Sequence, residues 1–183
     1  MCRYGMITYK PHYACFACRK TFKRRLLQDM ERDETEAVAA KCPECGALTA
    51  NMGLDFKSPP RNDARAWQHL RNLYAVGITY HSCGCSGPGY IPATTEALVV
   101  YLEERLQYYV GQLRYWLNRP EPASKAEAER DKSQNWEYNS RLPGELKGKK
   151  GSIRSNEAAI AYWSQQVQGL AHDLSKVKMQ VPV

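Results

Sequence analysis

Apolar residues recur at helical spacing in two long stretches of the C-terminal half. In the first, Val99, Leu102, Leu106, Tyr109, Leu113 and Trp116 follow one another at intervals of 3, 4, 3, 4 and 3 residues. In the second, Ile160, Trp163, Val167, Leu170, Leu174 and Val177 repeat the same intervals. Alternating steps of three and four keep all these side chains on one helix face, the a/d pattern of packed helices. Thr94 or Thr95 can cap the first helix, Glu96 suits its positive first turn, and Asn118-Arg119-Pro120 ends it. Ser155 is a corresponding N-cap for the second helix. Neither stripe is stable alone in water. The simplest arrangement pairs them as an antiparallel, coiled-coil-like helical hairpin, with residues 120–154 as the connection and a polar helix over Ala123 to Tyr138. Pairing between two chains would satisfy the same pattern.

The N-terminal half has shorter periods. Ser58 to Asp63 (SPPRND) makes a turn and a helix start, and Ala64 to Ala75 reads as a short helix carrying Trp67, Leu70 and Tyr74. Ile78 to Tyr80, β-branched and aromatic, reads as a short strand, and Ser82 to Pro92 (SCGCSGPGYIP) as a loop. Alternation from Ala14 to Phe22, and again near Val38, suits a β-hairpin, although Leu26 to Glu36 can also wind as a helix. The pattern therefore predicts an α+β chain in two parts: residues 1–92 with mixed short elements, and residues 93–183 forming the hairpin.

What would hold the first part together is in its cysteines. Cys15-Phe-Ala-Cys18 and Cys42-Pro-Glu-Cys45-Gly46 are two CxxC pairs with 23 residues between them. Two thiolates at that spacing reach one ion from a tight turn, and two such turns complete a tetrahedral S4 shell. Gly46 gives the second turn a permissive backbone and Pro43 stiffens it. Tyr13, Phe16 and Phe22 are apolar bodies able to cover the ion. A redox dithiol would need one CxxC at a helix N-terminus in a βαβ setting, and no such pattern is present.

On the knuckles CFACR and KCPECG the chain resembles the zinc-ribbon group of proteins. The longer run KPHYACFACRKTFKRR…KCPECG…MGLDF is similar to small bacterial zinc-ribbon proteins of uncharacterised role. The resemblance implies one structural Zn2+ on Cys15, Cys18, Cys42 and Cys45. It also implies contacts with nucleic acid, ribosome, polymerase or protein, and carries over no activity.

A second cluster is weaker. Cys83 and Cys85, with His81 and His69, are the candidate ligands of a second metal ion, and His12 or Cys2 could complete the set. The plainer reading makes Cys83 and Cys85 small residues of a tight glycine loop. A Cys–His catalytic pair would need His69 or His12 as its base, because a His two positions from a Cys on an extended segment faces the other way. Gly84 to Gly89 lacks the spacing and the Lys of a phosphate loop, and Pro88 removes a donor. His172 reads as a solvated helix residue. Trp136 and Tyr138 can stack on bases or pin the connection to the hairpin, and packing is the simpler role.

Charge decides between function classes. The 183 residues carry a formal net charge of +7, with 43% apolar and 25% charged residues, a composition able to fold. Seven cysteines would leave one unpaired in any full set of disulfides, which favours metal thiolates in a reducing compartment. No apolar run has the length of a membrane span, and Met1 to Lys10 has no signal-type apolar core, so the expected location is the cytoplasm. Between Met1 and Gln28 stand Arg3, Lys10, Arg19, Lys20, Lys23, Arg24 and Arg25 without one acid. A second run, Arg141, Lys147, Lys149, Lys150 and Arg154, is opposed only by Glu145. Clusters of this kind suit a polyanion. The expected function is a non-enzymatic binding protein that contacts RNA or the ribosome through Arg19, Lys20, Lys23, Arg24, Arg25, Lys147, Lys149, Lys150 and Arg154. A protein–protein adapter working through the helical seam, by self-association or with a partner, is the alternative. A thiol or zinc enzyme at His81, Cys83 and Cys85 ranks third.

Overall fold

The computed structural model describes residues 10–24, 40–82, 86–147 and 155–180. Within them the chain is α+β, a small antiparallel sheet followed by several helices. It divides into two compact units, Met1–Leu98 and Val99–Val183. Among the described residues no helix is long and apolar enough to cross a membrane. Arg25, Cys2, Cys83, Cys85, Lys149, Lys150, Arg154, Val38 and the Leu26–Glu36 stretch lie outside the described residues.

The first unit opens with strands β1 (His12–Cys15) and β2 (Lys20–Lys23), which pair antiparallel from His12↔Lys23 to Cys15↔Lys20. The Ala14–Phe22 stretch, expected as one arm of a hairpin with its other arm near Val38, instead folds back on itself as β1 and β2, and the first CxxC pair forms the turn between them. Strand β3 (Ala50–Gly53) follows the second CxxC pair and adds antiparallel to the other side of β1, giving the order β2-β1-β3. The bulge between His12 and Tyr13 shifts that register.

Helix α1 (Ala64–Ala75) has the predicted limits. Asp63 caps it by accepting from the Ala66 N–H at 2.9 Å, and the Trp67 indole N–H donates to the Pro60 carbonyl at 3.0 Å. Its buried face carries Trp67, Leu70 and Leu73. Tyr74, assigned to that face from sequence, is instead exposed and tilts against Phe16, 5.9 Å between ring centroids.

Ile78–Tyr80 does not form the expected strand. Tyr80 donates its N–H to the Met52 carbonyl at 2.8 Å and accepts from the Asp55 N–H at 3.2 Å, around a glycine, Gly53, whose φ is +93°. That left-handed residue turns the partner chain away after β3, so a regular ladder cannot continue.

Helix α2 (Thr95–Asn118) is capped by Thr94, whose hydroxyl accepts from the Ala97 N–H at 3.1 Å. The connection that follows contains helix α3 (Lys125–Gln134), helix α4 (Trp136–Ser140) and a 3-10 turn at Gly144–Leu146. The single polar helix expected over Ala123 to Tyr138 is thus broken at Asn135, which caps the end of one helix and the start of the next. Helix α5 (Asn156–Lys178) is capped by Ser155, as the sequence indicates.

None of the twelve seam residues of α2 and α5 is exposed. In the second unit Trp116 and Trp163 are buried with Leu142 and Ala159, and Tyr109, Leu113, Tyr115, Tyr138, Leu146, Ile160 and Tyr162 pack around them. The rings of Tyr109 and Trp163 lie 5.4 Å apart. Lys178, the last residue of α5, pairs with Glu103 near the start of the α2 seam at 2.6 Å. At the other end, Arg119, just past α2, bonds Asn156, the first residue of α5.

Candidate metal centre

Cys15 ends β1, and Cys18 sits in the four-residue turn that leads into β2. Arg19 closes that turn in the left-handed region, at φ 51°. The second knuckle is a separate tight turn. The Cys42 N–H donates to the Ala47 carbonyl at 2.7 Å and the Gly46 N–H to the Cys42 carbonyl at 2.9 Å, while Lys41 bridges to Leu48. Gly46 adopts φ +72°, a conformation costly for any residue with a Cβ. Both ends of the second turn are anchored, since the Thr49 N–H and hydroxyl donate to the Ala40 carbonyl.

The two turns bring all four sulfurs within 4.8 Å of one another. Cys15 Sγ lies 3.7 Å from Cys45 Sγ, and Cys42 Sγ 4.0 Å from Cys18 Sγ. A tetrahedral ion with sulfur ligands at about 2.3 Å would hold its sulfurs roughly 3.8 Å apart. A disulfide would require about 2.05 Å. All four cysteines are free, and their spacing fits a tetrahedral thiolate shell. Cys15 and Cys42 are buried, Cys18 is half-buried and Cys45 is exposed.

Four thiols this close compete for charge. Burial raises the Cys15 thiol despite a 3.4 Å bond from the Cys18 N–H. Cys18 is pushed up to about 12, first by its hydrogen bond with Cys45 and then by desolvation. For Cys42 burial acts upward, but the N–H groups of Cys45 and Glu44 and the neighbouring thiols outweigh it and bring it down to about 7. Within the cluster, Cys42 is thus the readiest of these three thiols to give up its proton. A dication in the cluster's midst would favour the thiolate at every ligand.

Side chains beyond the cysteines brace both knuckles. Lys20 on β2 forms an ion pair with Glu44 in the second turn, and Arg24 donates to the Lys41 carbonyl while lying 5.7 Å over the Tyr13 ring. Arg71 on α1 donates to the Phe16 carbonyl at 3.4 Å with its guanidinium 5.8 Å from the Phe16 ring. Glu44 and Arg71 were missed from sequence. The opposite charges of Lys20 and Glu44 offered a hint, but nothing in the spacing joins Arg71 to a residue 55 positions away.

The other sequence candidates are dispersed. Among the described basic residues, Lys23 is exposed on β2, Arg19 is half-buried, and Lys147 donates to the Ser140 carbonyl at 2.7 Å. His69 is buried on α1. Its Nε2 lies 2.9 Å from the Pro92 carbonyl and its Nδ1 3.3 Å from the Thr95 hydroxyl, and it lines a cleft of about 340 Å3 with Lys57, Arg65 and Tyr80. His81 is exposed. His12 is half-buried, its Nδ1 2.7 Å from the Phe56 carbonyl. No protein-family model, curated protein or solved structure matches the chain.

Proposed function

We propose that this chain is a zinc-ribbon protein without catalytic activity, in which one structural Zn2+ on Cys15, Cys18, Cys42 and Cys45 rigidifies a basic surface that contacts RNA. The observation carrying the reading is the thiol geometry, with cross-turn sulfur pairs at 3.7 and 4.0 Å. Zinc suits four thiolates in a tetrahedral shell and supplies folding free energy to a sheet too small to have much core of its own. The RNA part draws support from charge. The net charge is +7, and β2, an outer strand among the described residues, presents Lys23 to solvent beside Arg19 and Arg24. A ribosomal contact belongs to the same chemistry. The paired ends of α2 and α5 support an antiparallel helical hairpin as the second part.

The test is metal content of freshly purified protein together with binding to single-stranded and duplex RNA at several salt concentrations. One zinc per chain and an affinity that falls steeply between about 50 and 200 mM salt are expected. An affinity flat across that range removes the phosphate contact, and a chain isolated with no metal removes the ribbon.

A specific observation favours the adapter as the second reading. Leu106, Tyr109, Val167 and Leu170, in the middle of the seams, are only half-buried. A concentration-dependent dimer, or one protein partner held through α2 and α5, would support it.

A further inference from the structure

We propose that Cys45 is a hydroperoxide-reactive thiol, and that its oxidation joins it to Cys15 across the two knuckles and releases the metal they hold. The release rests on the zinc reading above, whereas the choice of thiols rests on the geometry alone.

Accessibility selects the first sulfur. Cys45 is exposed, Cys18 is half-buried, and Cys15 and Cys42 are buried. A peroxide arriving from solvent therefore meets Cys45 before the others. The second comes from the first knuckle, where Cys15 and Cys18 both contact Cys45 and Cys15 is the buried neighbour with a close sulfur approach. The Cys15 sulfur lies 3.7 Å from that of Cys45, and closing the pair to a disulfide needs an approach of about 1.7 Å. The sulfur atoms at 4.0 Å, Cys18 and Cys42, also belong to different knuckles. Within the first knuckle the Cys18 N–H points at the Cys15 sulfur at 3.4 Å, and the two thiols also contact each other.

The chemistry balances with hydrogen peroxide as the named oxidant. The Cys45 thiolate attacks one peroxide oxygen, the O–O bond breaks, and hydroxide leaves as Cys45 becomes a sulfenic acid. The Cys15 thiolate then attacks the Cys45 sulfur, the S–S bond forms, the S–O bond breaks, and a second hydroxide leaves. Two thiolates, one H2O2 and two protons give one disulfide and two waters, the two sulfurs supplying the two electrons. Cys18 and Cys42 are left as an incomplete ligand pair, so the metal dissociates. A bridge within either knuckle would leave no covalent tie between the turns once the metal departed. The Cys15–Cys45 bridge keeps them tied, so the ribbon can reload on reduction.

The full chain, with its zinc quantified, is treated with one equivalent of hydrogen peroxide. Zinc release is followed with a chromophoric chelator and disulfides are mapped without reduction. Cleavage after Arg19 and Lys41 puts the two knuckles on separate peptides, and fragmentation assigns the sulfurs. The expected first product is Cys15–Cys45, formed at the rate of zinc release, with both changes reversed by reductant and added zinc. A first bridge within one CxxC pair, a bridge to Cys2, Cys83 or Cys85, or release with no bridge overturns the proposal. Cys45→Ser and Cys18→Ser each remove one ligand, but only Cys45→Ser should slow peroxide consumption, by roughly tenfold. If neither variant folds, the map of the unsubstituted chain decides. Should the chain carry no metal, the zinc reading fails, while the disulfide map of the metal-free chain still decides the bridge, so the two failures are read separately.

Discussion

Gly53 and Tyr80 meet backbone to backbone: a Cβ built on Gly53 would lie 2.5 Å from the carbonyl carbon and oxygen of Tyr80. Gly53 also holds φ +93°, so a side chain there is opposed by local strain as well as by contact. The colliding Tyr80 oxygen accepts from the Asp55 N–H and the Tyr80 N–H donates to the Met52 carbonyl, so the segment cannot step aside without straining both hydrogen bonds. Gly53→Ala is expected to cost about 3 kcal/mol or more. The check is the urea midpoint of the purified protein. A shift equivalent to less than about 1 kcal/mol would mean the Tyr80 segment is loosely held.

Metal affinity should fall with acid, and the pKa directions set the sign. Zinc binds thiolates, so each ligand that is protonated in the metal-free protein must release its proton on loading. Cys15 and Cys18 are both raised, Cys18 to about 12, so at neutral pH they bind metal against protons. The logarithm of the affinity should thus rise by at least about two per pH unit near pH 7. Below pH 7 Cys42, at about 7, is protonated as well, and the dependence steepens. Competition with a chelator of known affinity from pH 5 to 8 measures the slope. A slope near zero would show that the four sulfurs do not form the site.

Arg119 ties together three parts of the second unit. Its Nε donates to Asp131 at 3.1 Å, another of its nitrogens bonds the Asn156 side chain, and its guanidinium lies 5.1 Å from the Trp116 ring. In return the Asn156 side chain donates to the Arg119 carbonyl at 2.8 Å. The Arg119 side chain is only 7% exposed, and removing it leaves Asp131 and Asn156 poorly solvated. Arg119→Ala is expected to cost about 2–4 kcal/mol. Lys178→Ala, which breaks a solvent-exposed pair with Glu103, should cost less than about 1 kcal/mol. Denaturant unfolding of both variants gives the comparison. Equal losses would show that the Arg119 network is no stronger than a surface pair.

Spacing and periodicity carried most of what the sequence could say. The cysteine cluster was legible because two CxxC pairs constrain geometry locally, whatever the 23 residues between them do. The limits of α1 were legible because Asp63 is a strong cap, and the seam positions because a burial period of 3.5 repeats over many turns. Features depending on distant residues were not legible. Strand β3 follows a knuckle and pairs with β1 nearly 40 positions earlier, as the Ala14↔Ala50 register shows. Trp136 and Tyr138 read alike in sequence, yet Tyr138 stacks on Tyr115 at 3.6 Å while Trp136 is 66% exposed. A short helix turns adjacent positions to different faces, and only the chain packed beside it decides which face is inside. Arg119, next to a helix-ending proline, read as a stop signal, and its partners lie 12 and 37 positions away.

Those same distant contacts sort the basic residues, and the sorting yields a test of the RNA surface. Lys20 is paired with Glu44, Arg24 is committed to the Lys41 carbonyl and Lys147 to that of Ser140. Lys23 is exposed on the same strand as Lys20. A phosphate can engage Lys23 without displacing a partner among the described residues, whereas engaging Lys20 would strip Glu44 of its counter-charge. If the β2 edge contacts RNA, Lys23→Ala should weaken binding about equally for all sequences and reduce the salt slope by about one, with zinc content unchanged. Lys20→Ala should act differently, loosening the second knuckle and lowering zinc retention before it alters the salt slope. Fluorescence anisotropy over a salt series, with metal analysis of each variant, separates the two. An unchanged slope for Lys23→Ala would move the contact off β2.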